Sequence, residues 1–174
     1  MSHKLICLGL VSTLILGGCE YTRLKSDGMT VPSGNISVSS HAYQYKIHNV
    51  IVEIPEANFW TSPAHDVGHP LTEKEFRDSL VGSLKNYSLW SDSGPYTLNA
   101  KVITVFAEPQ LAKASARIVY TIIDDKTGKT IYTDRVTSTA VWKKELRLDL
   151  FSELREAREK AVAVNVALFL KALK

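Results

Sequence analysis

Cysteine is almost missing from this chain of 174 residues: there are two, Cys7 and Cys19, both ahead of position 20. From Glu20 onward no disulfide, thiolate zinc site or cysteine nucleophile can form. An excess of one charge is missing as well. Lys and Arg number 21 against 18 Asp and Glu, a formal +3, and the count without Lys4 is 20 against 18, or +2. So even a balance argues for neither a nucleic-acid binder nor a polybasic membrane clamp. The longest apolar run, Leu5 to Leu16, is 12 residues, short of the ~20 that a membrane-spanning helix needs. No internal repeat, Gly-x-Ser-x-Gly elbow or phosphate-cradling glycine loop occurs.

What the beginning does hold is ordered. His3 and Lys4 give a short basic start, Leu5 to Leu16 an apolar stretch, and Gly17-Gly18 two small residues directly before Cys19. This is the secretory pattern, and Leu16-Gly17-Gly18-Cys19 resembles the lipobox of bacterial lipoproteins. The resemblance implies cleavage before Cys19, a diacylglycerol thioether on its sulfur and an acyl chain such as palmitate on its amine. One lipid chain holds only marginally, at ~0.8 kcal/mol per buried methylene, whereas two or three anchor firmly. In enteric bacteria this family uses Asp after the cysteine for inner-membrane retention, so Glu20 implies the outer membrane, facing the periplasm.

Residues 1–18 are thus expected to be a signal peptide, 19–43 the lipidated cysteine and a flexible tether, and 44–174 a single domain, large enough for its own core. Glu20 to Tyr43 is rich in Ser and Gly and has neither a 2.0 nor a 3.6 period. As a coil it would span roughly 25–30 Å, and about 80 Å fully stretched.

Within the domain, Tyr45 to Ile54 is β-branched and stopped by Pro55, a strand that places His48 on the side of Val50 and Val52. The loop from Glu56 to Pro70 contains the one His/Asp cluster, His65, Asp66 and His69. Gly68 and Pro70 work against a helix that would align the two histidines, and no further ligands follow at zinc-site spacing, so no metal is expected. At Leu71 to Phe76, Thr72 and Glu75 make a capping box and Leu71 and Phe76 a hydrophobic staple. Phe76, Leu80, Leu84 and Tyr87 continue as an apolar stripe.

Three strands follow. Tyr96, Leu98, Ala100, Val102 and Phe106 are expected on one face of the first; Ala116, Ile118, Tyr120 and Ile122 on one face of the second; Tyr132, Val136, Ala140 and Trp142 on one face of the third. Asp124 to Lys129 is a hairpin turn in which Gly128 supplies the positive φ. A helix from about Leu150 to the end carries two stripes. Leu150, Leu154, Ala157, Ala161, Val164 and Leu168 are expected to seat it on the sheet, and Val162, Val166, Phe169 and Leu173 to meet the first helix, the alternative cover for this second stripe being a partner protein or a lipid chain. The order β-α-β-β-β-α predicts an α+β domain, one mainly antiparallel four-stranded sheet with two helices packed on one face.

This architecture, with the strand and turn Ala116 to Lys129, is similar to that of small envelope lipoproteins of Gram-negative bacteria, including the lipopolysaccharide-assembly lipoprotein of the LptE type and auxiliaries of ABC-type lipid transporters. The ending Lys160 to Leu173 resembles short lipoproteins labelled UDP-N-acetylglucosamine acyltransferase. Acyltransferases of that name are built from hexapeptide repeats, and nothing here repeats at six. Asp124 and Asp125 are neighbours and make a poor pair for acid–base work. The expectation is a membrane-anchored, non-catalytic binding or assembly module of the cell envelope, possible roles including lipid or lipopolysaccharide transport. It needs no cofactor and no nucleic acid, and it meets an envelope protein or a lipid. The alternative is an acyltransferase or other envelope enzyme.

Overall fold

The computed structural model describes residues 23–55, 71–141 and 150–173. In chain order they form helix α1 (Ser26–Met29), a 3-10 helix (Ser40–Gln44), strand β1 (Ile47–Glu53), helix α2 (Glu73–Asn86), strand β2 (Tyr96–Glu108), a 3-10 turn (Pro109–Leu111), strands β3 (Lys113–Asp124) and β4 (Thr130–Val141), and helix α3 (Leu150–Ala172). The sheet runs β1-β2-β3-β4. β1 lies parallel to β2, with α2 as the crossover, and the other two pairings are antiparallel. The α+β class, the element order and the four-stranded sheet agree with expectation, the sheet being mixed.

One side of the sheet is apolar. Val50 and Val52, Leu98 and Ala100, Ile118, Tyr120 and Ile122, and Val136 and Ala140 are all buried in a single core together with Phe76, Leu80 and Leu84 of α2 and Ala161, Val166 and Phe169 of α3. α2 begins as the sequence predicts: Thr72 is the N-cap, its Oγ1 accepting from Glu75 N–H at 3.2 Å. The turn after β3 closes with Gly128 at φ +67°, its N–H donating to Asp124 O at 2.8 Å. That positive φ is where a β-carbon would be strained.

Two strands depart from simple alternation because each carries an extra residue. The β1–β2 register shifts between Ile47 and Asn49, so Ile47 and Val50 are both buried and His48 between them is half-buried. His48 therefore does not share the face of Val50 and Val52. In β2 the shift falls between Val102 and Thr104, after which Val105 is buried and Phe106 is only partly so. A bulge moves every later side chain to the other face, and composition alone does not show where one falls.

The larger correction concerns the expected tether. Leu24, Met29 and Ala42 are wholly buried and Val31 nearly so, all within the same core as the sheet. The described part of 19–43 is a wall of the domain, not a flexible spacer. It was illegible by period because its apolar residues are held by an irregular backbone that wraps around neighbours.

α3 also turns differently from expectation. Leu168 is 41% exposed, while Phe169 is fully buried, its ring stacked on Tyr120 at 4.1 Å and 12° and tilted against Tyr132 at 5.9 Å. Phe169 thus faces the sheet, and the stripe expected to meet α2 is partly the seat itself. The physical reason is Asn165. A polar residue at the centre of the seat hides it from a search for apolar periodicity.

Candidate functional site

Cys19, the expected lipidation site, and the cluster His65, Asp66 and His69 lie outside the described residues, as does Trp142. Among the described residues no group of three or more His, Cys, Asp or Glu could hold a metal ion, and no helix is long and apolar enough to cross a membrane. The region that bears on Cys19 is the stretch following it.

From Arg23 on, the described chain packs on both long helices, α1 touching α2 and α3. α1 has no side-chain cap from its own N-cap residue, Lys25, so its first N–H groups need other acceptors. They find two carboxylates. Lys25 N–H donates to Glu159 Oε1 of α3 at 2.8 Å, and Ser26 N–H donates to Glu75 Oε2 of α2 at 3.0 Å. Charge-assisted bonds of this kind are among the stronger ones, and negative charge at a helix start is favourable. Glu75 therefore spends its carboxylate on α1, while the other half of the capping box, Thr72 to Glu75 N–H, remains local.

Glu159 is nearly enclosed. Burial pushes its carboxyl above the ordinary range, opposed by the Lys25 N–H and by Arg155, whose Nε lies 3.6 Å from Glu159 Oε1. Gly28 is what lets the segments approach: a β-carbon there would fall 2.2 Å from Glu159 Oε2 and 3.1 Å from Glu159 Cβ.

Below α1 the chain keeps its grip on α2. Val31 N–H donates to Ser83 Oγ at 2.9 Å, Asn86 Nδ2 donates to Val31 O at 2.9 Å, and Tyr87 OH donates to Pro32 O at 2.6 Å. Ser83 Oγ in turn donates to Ser79 O. Backbone of an irregular segment is thereby satisfied by side chains of a regular one, as buried polar groups require.

A second polar cluster joins α3 to the sheet. Tyr120 OH donates to Asn165 Oδ1 at 2.9 Å, and Asn165 Nδ2 donates to Val136 O at 3.0 Å and to Ala116 O and Ser138 Oγ at 3.1 Å. Ser138 Oγ also donates to Ala161 O at 2.8 Å. Burial, and then the neighbouring Tyr132, hold the Tyr120 hydroxyl well above its ordinary pKa. Tyr132 is pushed up to about 12, first by burial and then by Asp134. Both are neutral donors at physiological pH, suited to structure. Sequence reading missed Asn165 and Ser138; the signal was a polar residue interrupting an otherwise apolar helix face.

His48 Nδ1 lies 3.3 Å from Asp125 Oδ2. Its neighbour Asp124 has a lowered pKa, chiefly because Thr127 N–H donates to it, at 2.9 Å. These are turn contacts: Asp124 closes the β3–β4 hairpin and Asp125 N–H is bound to Pro95 O. The paired carboxylates thus have separate local partners.

No protein-family model and no curated protein matches the chain. Solved structures do. Protein XCC0632 from Xanthomonas campestris, of the DUF330 family, is similar at a TM-score of 0.51 and 11% identity, covering 82% of this chain and 88% of that one. A PelC dodecamer from Paraburkholderia phytofirmans is similar at 0.51 and 11%, over 79% and 94%. Lipoprotein GNA1162 from Neisseria meningitidis matches at a TM-score of 0.28 and 10% identity, over 68% and 96%, a likeness too loose to argue from. None of the three is named as an LptE-type protein or an acyltransferase. At these identities the likeness to the first two is one of fold alone.

Proposed function

We propose that this chain is a lipoprotein of the bacterial cell envelope, acylated at Cys19 and held at the outer membrane facing the periplasm, where its domain serves as a non-catalytic binding or assembly module. The observation that carries this reading is Leu16-Gly17-Gly18-Cys19 after a 12-residue apolar run. The use of buried polar groups supports the binding-module part of it: Glu75, Glu159, Asn165, Ser138 and Tyr120 are engaged in joining elements to one another. The partner is an envelope protein or a lipid, as a lipid or lipopolysaccharide transport role would require.

Intact-mass measurement of detergent-extracted protein tests the anchor. A mature chain beginning at Cys19 with thioether and amide lipid mass is expected, and Cys19→Ser should release the protein from membranes. A start elsewhere, or no added lipid, overturns the reading. Turnover of an acyl donor by the purified protein, abolished by His65→Ala or Asp66→Asn, would replace the binding module by an envelope acyltransferase.

A further inference from the structure

The burial of Leu24 shortens the anchor. Instead of 24 residues of spacer, four residues, Glu20 to Arg23, separate Cys19 from a side chain that is 0% exposed. From Cys19 Cα to Leu24 Cα the chain can reach at most about 18 Å, at 3.3–3.6 Å per residue.

The place where the chain emerges is defined. Lys25 and Ser26 are bound at Glu159, in the first half of α3, and at Glu75, in the first turn of α2. α2 runs back along β1, Arg77 Nε donating to Val50 O and Ile47 N–H donating to Leu89 O, so its start lies toward the end of β1. β2, parallel to β1, runs the same way and continues seven residues past Lys101, the partner of Glu53, to the β2–β3 turn. β4 finishes there too, Val141 pairing with Lys113. The anchor exit and the starts of α2 and α3 thus all lie toward the end of the sheet that carries the Pro109–Leu111 turn, α3 meeting Ser138 through Ala161 and Tyr120 through Asn165 and Phe169 further along. The start of α3 lies nine residues above Glu159, about 14 Å at 1.5 Å per residue. A reach of about 18 Å clears it with little to spare. Toward the other end, α2 descends 11 residues from Glu75 to Asn86, about 17 Å, and that path alone uses nearly the whole reach.

The same end has the two most exposed large apolar side chains among the described residues, Leu111 at 63% and Val141 at 66%. Arg23 and Lys25, both exposed, flank the exit and suit anionic headgroups. Tyr43 and Ile131, exposed at 45% and 39%, belong to the opposite end, beside the start of β1 and the start of β4.

We infer that the domain rests on the lipid bilayer by this end, with Leu111 and Val141 at the headgroup boundary and the Asp125–Lys129 turn pointing away into the periplasm. The occupant of the apolar end is the membrane that holds the acyl chains. This placement rests on the acylation of Cys19.

The test uses the full-length lipidated protein in vesicles of phosphatidylethanolamine and phosphatidylglycerol. The mature chain has no other free thiol, so Leu111→Cys, Val141→Cys and Lys126→Cys can each be labelled with a polarity-sensitive nitrobenzoxadiazole fluorophore. Labels at 111 and 141 should shift to the blue on reconstitution and show several-fold lower iodide quenching than the label at 126. A Gly/Ser insertion of tether length between Arg23 and Leu24 should abolish most of that protection. Equal quenching at all three positions, with lipid on Cys19 shown by intact mass, overturns the placement and leaves the anchor standing. Protection at 126 in place of 111 and 141 overturns it as well. Absence of lipid on Cys19 removes both readings together.

Discussion

The backbone N–H of Lys25 meets the carboxylate of Glu159 at 2.8 Å, joining residues 134 apart in sequence. With the bond from Ser26 to Glu75, it clamps the amino-terminal segment between the two long helices. The segment from Arg23 onward is therefore a structural member of the domain. This changes both what truncation does and how far the domain can stand from a membrane.

A chain beginning at Gln44 lacks Leu24, Met29, Val31 and Ala42 from the core. Burial of the three larger side chains contributes about 1.5–3 kcal/mol each, a sum comparable with the roughly 5–15 kcal/mol that stabilises a typical domain. Thermal unfolding of this truncation should show a melting point far below that of a chain beginning at Arg23, or no cooperative transition. Equal melting points would mean the segment is dispensable.

Glu159 makes stability depend on pH in a stated direction. Its folded pKa is raised, first by burial, so the native state holds a proton that the unfolded state has released. Between the ordinary carboxyl value and the raised one, stability falls as pH rises. Glu159→Gln keeps an acceptor for Lys25 N–H and should flatten the melting-point profile just above the ordinary carboxyl range. Glu159→Ala leaves that N–H unmet and should cost about 1–3 kcal/mol. A profile unchanged in Glu159→Gln would show that this carboxyl does not titrate abnormally.

Much of the fold was legible because side-chain pattern and local chemistry agreed. Thr72 and Glu75 announced α2, Gly128 announced the hairpin, and Ala116, Ile118, Tyr120 and Ile122 announced the buried face of β3. What failed to read was set by tertiary contact. No local signal separates Lys25, Ser26 and Val31 from a tether when their partners are Glu159, Glu75 and Ser83, between 49 and 134 residues away. The bulge beside His48 and the one after Val102 change phase without changing composition. Of the candidate site, Cys19 was read from its motif; the shortness of its attachment required the structure.

Ser88 sits just past the C-cap of α2 at φ +56°, a left-handed conformation that costs a residue with a β-carbon roughly 1–2 kcal/mol. Its N–H donates to Lys85 O and the next N–H, of Leu89, to Leu84 O, so the conformation ends the helix. Ser88→Gly should raise stability by about 0.5–1 kcal/mol in urea titration. A loss instead would show that the serine side chain contributes more than its backbone costs.

Asn165 should be worth more than its size. Asn165→Ala strips a partner from Tyr120 OH, Ser138 Oγ and the carbonyls of Ala116 and Val136 at once. Each buried group left unmet costs about 1–3 kcal/mol. Asn165→Ala should therefore destabilise more than Tyr120→Phe, which removes a single hydroxyl. The reverse order, read from denaturation midpoints, would mean that water replaces the amide.

Leu168 and Phe169 are adjacent residues that the two assignments of α3 treat in opposite ways, so a pair of alanine variants decides between them. Apolar spacing puts Leu168 on the sheet and Phe169 toward a neighbour. In the structure Leu168 is 41% exposed and Phe169 is fully buried against Tyr120 and Tyr132. Removing a buried phenylalanine ring costs about 3–5 kcal/mol, a large share of the stability of an average domain. An exposed side chain away from specific contacts changes stability by only about 0.5 kcal/mol. Chemical denaturation should therefore give a much lower midpoint for Phe169→Ala and a midpoint near wild type for Leu168→Ala. If the two costs are exchanged, α3 is seated by the other stripe. If Phe169→Ala unfolds like wild type while a membrane protein that co-purifies with the native chain is lost, the ring belongs to a binding surface, and its stack on Tyr120 is not what holds α3 to the sheet.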